Sequence, residues 1–389
     1  MTRTFKLRWM PGIFMVFFAV ISLALAGFCR PPESCTTDPE SGVQKCQITS
    51  EGQNMITYYD TPLYSEQYGE IVYTHHVQGA PPQIILAKPD GSDARTVAYG
   101  QEPTMGPDGA NVYFISKGRG GMGMDLFRWD IPQKRETRLS KMDTRAIIRY
   151  SVTKSGTPHG ALLIYSADNI AHLVYADGTG DRTLKLSDPY TSAKFHRLRL
   201  SPTHPNLMFY NREVPGQRNL FCYDIDSNKT YTVTEHASHM LWAPDGLHIA
   251  YTGGPDHRFY LTRFDGTGSR ALDPDQREGT NYCSFAPEGD ALACSNWGPA
   301  ERFPMPGSIF LLAADGSGNV LYMAKHDSKG ISFWGEPALE FFKDRYHVIF
   351  RSDSTGSPQI YVLTLPHEIY ARLHKQPGTA SANPMGQPK

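Results

Sequence analysis

A short apolar strand that ends in a polar or small residue recurs down the chain. It reads Ile71-Val72-Tyr73-Thr74, then Val112-Tyr113-Phe114-Ile115-Ser116, then Leu163-Ile164-Tyr165-Ser166. Later copies are Leu207-Met208-Phe209-Tyr210-Asn211, Ile249-Ala250-Tyr251-Thr252, Leu292-Ala293-Cys294-Ser295 and Val348-Ile349-Phe350-Arg351. The copies are spaced by roughly 41 to 56 residues, the length of one propeller blade. A turn precedes several of them, as in Gly106-Pro107-Asp108-Gly109 and Ala243-Pro244-Asp245-Gly246. There Pro sets φ at the first corner and Gly supplies positive φ at the end. A third strand follows each copy, and Asp-Gly pairs at 90–91, 177–178, 265–266 and 315–316 read as hairpin turns. A fourth, more polar strand follows, for example over 182–186 or 230–234. Four antiparallel strands repeated with no helical period between them predict an all-β, seven-bladed β-propeller over residues 53–366.

The seventh unit lacks a fourth strand, because the chain after Ile360-Tyr361-Val362 runs into Pro366 and a polar tail. A ring leaves no edge unpaired, so an N-terminal strand is expected to close it. Met55-Ile56-Thr57-Tyr58-Tyr59 is the candidate, paired beside 359–363. Residues 367–389 are expected to be a disordered tail.

The N-terminus adds a compartment. Arg3, Lys6 and Arg8 precede an apolar run from Gly12 to Phe28 that contains Ala24-Leu25-Ala26. This predicts a signal peptide over 1–26, cut after Ala26, and export to the periplasm or medium. An uncleaved membrane anchor is the alternative; a lipid-modified Cys29 is disfavoured by the bulky Phe28 before it. Residues 27–52 form a polar, Cys-containing lead. Six cysteines, an even number, suit an oxidising compartment. Cys35 and Cys46 are spaced to close a small loop. Cys283 and Cys294 flank a tight turn, as a cross-strand disulfide or as two buried thiols; Cys222 reads as a core residue. No CxxC pair suggests zinc. The formal net charge of −1 offers no basic face for nucleic acid. No Gly-x-Ser-x-Gly motif suggests a serine hydrolase. His75-His76, His196, His236 and His257 read as surface or rim residues.

The Pro-Asp-Gly turn followed by an Ile-Ala-Tyr-Thr strand, cleanest over 242–251, resembles the repeat of TolB-like propellers. Residues 194–366 resemble the oligogalacturonate lyases, seven-bladed propellers that cleave pectin fragments by β-elimination. The resemblance rests on Leu200-Ser201-Pro202-Thr203-His204-Pro205, on Ser238-His239-Met240-Leu241-Trp242, and on Tyr346-His347-Val348-Ile349-Phe350 through Tyr361. It implies that His239 is the catalytic base and that Arg218, in a loosely matching loop, holds the substrate carboxylate. Elimination from a uronate needs both a base for the proton beside the carboxylate and positive charge to hold that carboxylate. Each residue also has a plain structural alternative, as a strand-entry histidine and a solvated loop arginine. Arg197 and Arg199 alternate along one strand and share a face. If that strand is innermost they meet the channel, as candidate substrate-binding residues.

The family's divalent-metal motif is mostly absent. Its His-Pro-His element falls on Glu336-Pro337-Ala338, its Gln on Phe333, and its blade-six His on Tyr282 or Asn281. Glu336 alone remains as a hard-cation ligand, so no metal site is assigned. The expected partner is an acidic oligosaccharide, bound or eliminated in the channel. The alternative is a non-enzymatic envelope scaffold that binds another envelope protein.

Overall fold

The computed structural model describes residues 35–57, 61–117, 124–140, 150–167, 169–212, 214, 219–253, 258–272, 280–296, 307–330 and 336–375. The expected signal peptide and Cys29 lie outside them, as do Tyr58 and Tyr59 of the expected closing strand.

Alternation of apolar and polar residues, cut by Pro, Asp and Gly, produces seven antiparallel sheets in chain order. The first strands of blades two to seven are Gln101–Met105, Tyr150–Thr157, Phe195–Leu200, Ala237–Trp242, Thr280–Phe285 and Leu339–Phe341. In blade one the first strand is split: Gln53–Met55 and Tyr64–Ser65 both pair with Glu70–His76. These first strands face the central channel, since residues from those of blades one to four line one cavity. The second strands are the apolar repeats, and they are buried on both faces because blades stack against blades. Apolar clusters accordingly join neighbouring blades, one across blades three and four and another across blades five and six.

Hydroxyls fasten the blades in series. Ser65 donates to the Gly109 carbonyl at 2.6 Å, Thr153 to the Ser201 carbonyl at 2.8 Å, and Ser201 to the Gly246 carbonyl at 2.8 Å. Gly246 has φ +68°, and a Cβ there would come within 2.1 Å of Thr203 Oγ1. Both the turn and the inter-blade bond therefore require glycine. Inside blade four, Arg212 is fully enclosed and donates to both carboxylate oxygens of Asp188, while its guanidinium lies 4.2 Å above the Phe195 ring.

An N-terminal strand does close the ring, but it is Gln44–Gln47. It pairs with Gln359–Thr364 from Gln44↔Thr364 to Gln47↔Tyr361. Cys35–Thr37 adds a fifth strand outside it. The expected segment is displaced inward: Gln53–Met55 is an innermost strand of blade one, tied to blade seven through Asn54, whose N–H donates to the Pro358 carbonyl and whose side-chain amide donates to Gln359 Oε1 at 2.9 Å. The lead over 27–52 thus carries the closure. The reason is spatial order, since the chain must cross the edge of blade seven before it reaches the channel. Residues 367–375, expected in a disordered tail, hold a short helix at Ile369–Leu373. Its Ile369, Tyr370 and Leu373 are buried on blades six and seven, and Arg345 stacks 3.7 Å above the Tyr370 ring.

Both cysteine pairs are bonded, Cys35–Cys46 and Cys283–Cys294, each between facing residues of adjacent strands. Cys222 is a buried free thiol, as expected for a core residue. No helix among the described residues is long and apolar enough to cross a membrane.

The closure yields a prediction. Replacing Cys35 and Cys46 together by Ser is expected to cost about 2–3 kcal/mol in urea unfolding. Deleting residues up to Gln47 is expected to open the edge at 359–364 and give concentration-dependent aggregation in light scattering. A truncated chain that stays monomeric with unchanged stability would refute the closure.

Candidate functional site

The site is built from one repeated irregularity. In five blades the turn after the first strand is sealed by the same bond. Gly106 N–H donates to Asn111 O, Ser201 to Leu207, Ala243 to His248, Ala286 to Ala291 and Phe342 to His347, all at 2.7–2.9 Å. These positions are therefore equivalent around the ring. Four residues before them stand Glu102, Arg197, His239, Tyr282 and Ala338. In blades two, four, five and six the ladder slips by one residue just here, between Gln101 and Thr104, Phe195 and Arg197, Ser238 and Leu241, and Thr280 and Tyr282. A bulge of this kind bends a strand and re-aims its side chains. These equivalent positions carry an acid, a guanidinium, an imidazole and a phenol in blade order; Glu102 and Arg197 line the channel cavity, while Tyr282 is buried and His239 half-buried beside it.

His239 is half-buried and has φ 50°. Its ring meets that of Tyr282 edge to face, with centroids 5.1 Å apart. The Tyr282 hydroxyl donates to the Glu336 carboxylate. Glu336 is held in turn through its carbonyl, which accepts from Arg351 Nε at 2.7 Å. Blades five, six and seven are linked in this way through polar side chains.

Arg197 and Arg199 stand on the innermost strand of blade four and both line the channel cavity, of about 320 Å³. Arg197 is only 5% exposed. Arg199 donates to the Tyr150 carbonyl at 2.9 Å and to Thr61 Oγ1 at 3.4 Å. Glu102, Tyr150, His76, His196 and Arg351 complete the cavity's charged and aromatic lining. The structure therefore brings Arg197 and Arg199 together and sets His239 in the next blade. Arg218 lies outside the described residues, as do His257 and Phe333.

Three lining residues escaped the sequence reading. Glu102 carried a usable signal, because it precedes Gly106-Pro107-Asp108-Gly109 as His239 precedes Ala243-Pro244-Asp245-Gly246. Tyr150 and Arg351 carried none, since an aromatic or basic strand residue points in or out only once the blades are assembled. His76, read as a rim residue, also reaches the cavity.

The residues at the positions assigned to a divalent metal do not fit one. Ala338 has no donor atom, and the Glu336 carboxylate is engaged by the Tyr282 phenol. Among the described residues no group of three or more His, Cys, Asp or Glu side chains is placed to hold a metal ion.

Comparison with solved structures bears on the fold. The chain is similar to an oligogalacturonate lyase solved in complex with manganese, with a TM-score of 0.71, 16% identity, and coverage of 88% of this chain and 99% of that one. An oligogalacturonate lyase from Vibrio parahaemolyticus gives a TM-score of 0.70 at 12% identity, covering 86% and 97%. The β-propeller domain of the Trilobed protease from Pyrococcus furiosus gives 0.53 at 12% identity, covering 79% and 95%. No protein-family model matches the chain, and no curated protein matches it. The fold is thus a seven-bladed propeller with the architecture of the oligogalacturonate lyases, and identities this low speak to architecture alone.

Burial holds His76 below the ordinary imidazole value, and burial followed by the neighbouring His76 lowers His75. His76 Nε2 is enclosed and has no hydrogen-bond partner among the described residues. As pH falls through about 6.5 the unfolded chain takes up protons before the folded one, so stability is lost in acid. The unfolding temperature is expected to be lower at about pH 5 than at about pH 7.5. His76→Asn should narrow that gap, and an unchanged gap would remove His76 as a cause.

Proposed function

We propose that this chain is an exported, carbohydrate-directed propeller that binds an acidic saccharide of the uronate class in its channel and opens it by β-elimination. The observation that carries the reading is the placement of Arg197 and His239. They occupy equivalent bulge positions in adjacent blades, on a fold shared with oligogalacturonate lyases. Arg197, joined by Arg218 as the resemblance implies, takes the substrate carboxylate in a charge-assisted contact. That contact stabilises the negative charge that grows on the carboxylate side as the adjacent C–H bond breaks. His239 is the base that takes this proton. The electron pair forms the new C=C bond as the C–O bond to the glycosidic oxygen breaks, and that oxygen takes its proton from water. Export is supported by the cationic and apolar N-terminus and by the two disulfides.

A second reading has an observation in its favour. The Tyr282–Glu336 hydrogen bond and Ala338 occupy places where the resembled lyases carry metal ligands. This favours a propeller that binds without cleaving, as a scaffold in the cell envelope.

One assay separates the two. The mature protein is incubated with oligogalacturonates, and the ultraviolet absorbance of unsaturated products is followed beside calorimetric binding. The first reading expects product, unchanged by a chelator and lowered at least about 100-fold by His239→Ala. Binding without product removes the elimination step, and no binding of any uronate polymer refutes the carbohydrate-directed reading and leaves the protein-binding scaffold.

A further inference from the structure

The channel cavity is not symmetric about the ring. Among the described residues of blades two, three and four, only those of the innermost strand line it, but in blade one it also reaches Thr74 and His76 of the second strand. The cause is the split in blade one's first strand. Gln53–Met55 covers only the end of the second strand, with Gln53 opposite His76 and Met55 opposite Thr74. Facing residues of an antiparallel pair point to one side of the sheet, as do residues two apart. Gln53, Met55, Thr74 and His76 therefore form one patch on one face of blade one, and all four line the cavity.

The other face of the same two strands belongs to blade seven. Asn54 donates from its N–H to the Pro358 carbonyl and from its amide to Gln359 Oε1, and His75 Nδ1 donates to Asn54 Oδ1 at 2.8 Å. The patch thus looks toward blade two, whose Gln101 and Thr104 line the cavity as well. Further along, the residues between the two halves of the split strand sew these blades together. The Thr57 hydroxyl donates to the Pro103 carbonyl, and Met105 N–H donates to the Pro62 carbonyl at 2.7 Å. The cavity therefore runs off the channel axis as a cleft between blades one and two, closed at its end by this suture. Between blades three and four an apolar cluster seals the facing sheets. The cleft instead sets hydroxyl, amide and imidazole groups beside the Met55 thioether, the mixture of polar and apolar lining that a ligand pocket needs. A sugar ring, with both C–H and O–H surface, matches it.

We infer that this cleft is a subsite for a further ring of the channel saccharide, walled by Met55 and Thr74, so that the site selects longer acids over shorter ones. This rests on the reading of the channel as a uronate site. Calorimetry with galacturonate and with di-, tri- and tetragalacturonate tests it on the mature wild-type, Thr74→Leu and Thr74→Val chains. Wild-type affinity is expected to rise by about tenfold or more at the step where the added ring enters the cleft. Thr74→Leu places a larger side chain in the cleft and is expected to abolish that gain. Thr74→Val keeps the shape, removes the hydroxyl and is expected to cut the gain by about threefold or more. Wild-type affinity that stays flat along the series, or a gain in Thr74→Leu equal to the wild-type gain, overturns the assignment and leaves the uronate reading standing. Should Thr74→Leu fail to fold, an undiminished gain in Thr74→Val overturns it equally. Wild-type chain that binds none of the four acids overturns both.

Discussion

The structure depends on pairing the last open edge of blade seven. Six blades complete their own four strands, but the sheet at 339–364 supplies only three. Its outer strand, Gln359–Thr364, would present unpaired N–H and C=O groups to any passing chain. Gln44–Gln47 covers it, and the connection continues beyond the ladder. Ile48 donates to the Ile360 carbonyl, and Thr49 and Asn54 side chains converge on Gln359. The Cys35–Cys46 bond then ties the closing strand to one further strand. Because each blade leans on the next through buried apolar faces and serine or threonine bonds, a ring opened at this seam would loosen blades one and seven together.

The channel chemistry follows from one extra residue in an innermost strand. A regular ladder places alternate side chains toward the channel. A single slip re-aims the side chain at that level, and the same slip recurs four residues before the turn in blades two, four, five and six. Regular repeats would repeat the residue type as well; here the acid, guanidinium, imidazole and phenol differ from blade to blade. A shared scaffold thus sets unlike groups at equivalent positions around the ring.

The same level shows where this chain parts from the lyases it resembles in fold. Tyr282 and Glu336 satisfy each other, and Ala338 contributes no donor. A cation there would have to displace the phenol from the carboxylate and would still lack oxygen or nitrogen ligands to replace its water. Arg351, only 1% exposed, spans from the Glu336 carbonyl to that of Ile56 and holds blade seven against blade one at this point. The site is therefore organised by hydrogen bonds between blades.

Much of this was legible in the sequence because it is local. The apolar strand repeat, the Pro-Asp-Gly turns and the even spacing of Cys283 and Cys294 about a turn depend only on residues within one blade, and period-2 alternation predicts which of Arg197, Leu198 and Arg199 share a face. The equivalence of Glu102 with His239 was present too, through their common distance from a turn. The tertiary structure alone decided the rest. The closing strand was expected at Met55-Ile56-Thr57-Tyr58-Tyr59 and residues 44–47 in a polar lead; only the position of an edge some 310 residues away in sequence makes 44–47 the strand that closes the ring. The docking of Ile369, Tyr370 and Leu373 likewise needs a surface made by two blades. The contact of His239, Tyr282 and Glu336 needs three, because side chains from separate repeats meet only when the ring has closed.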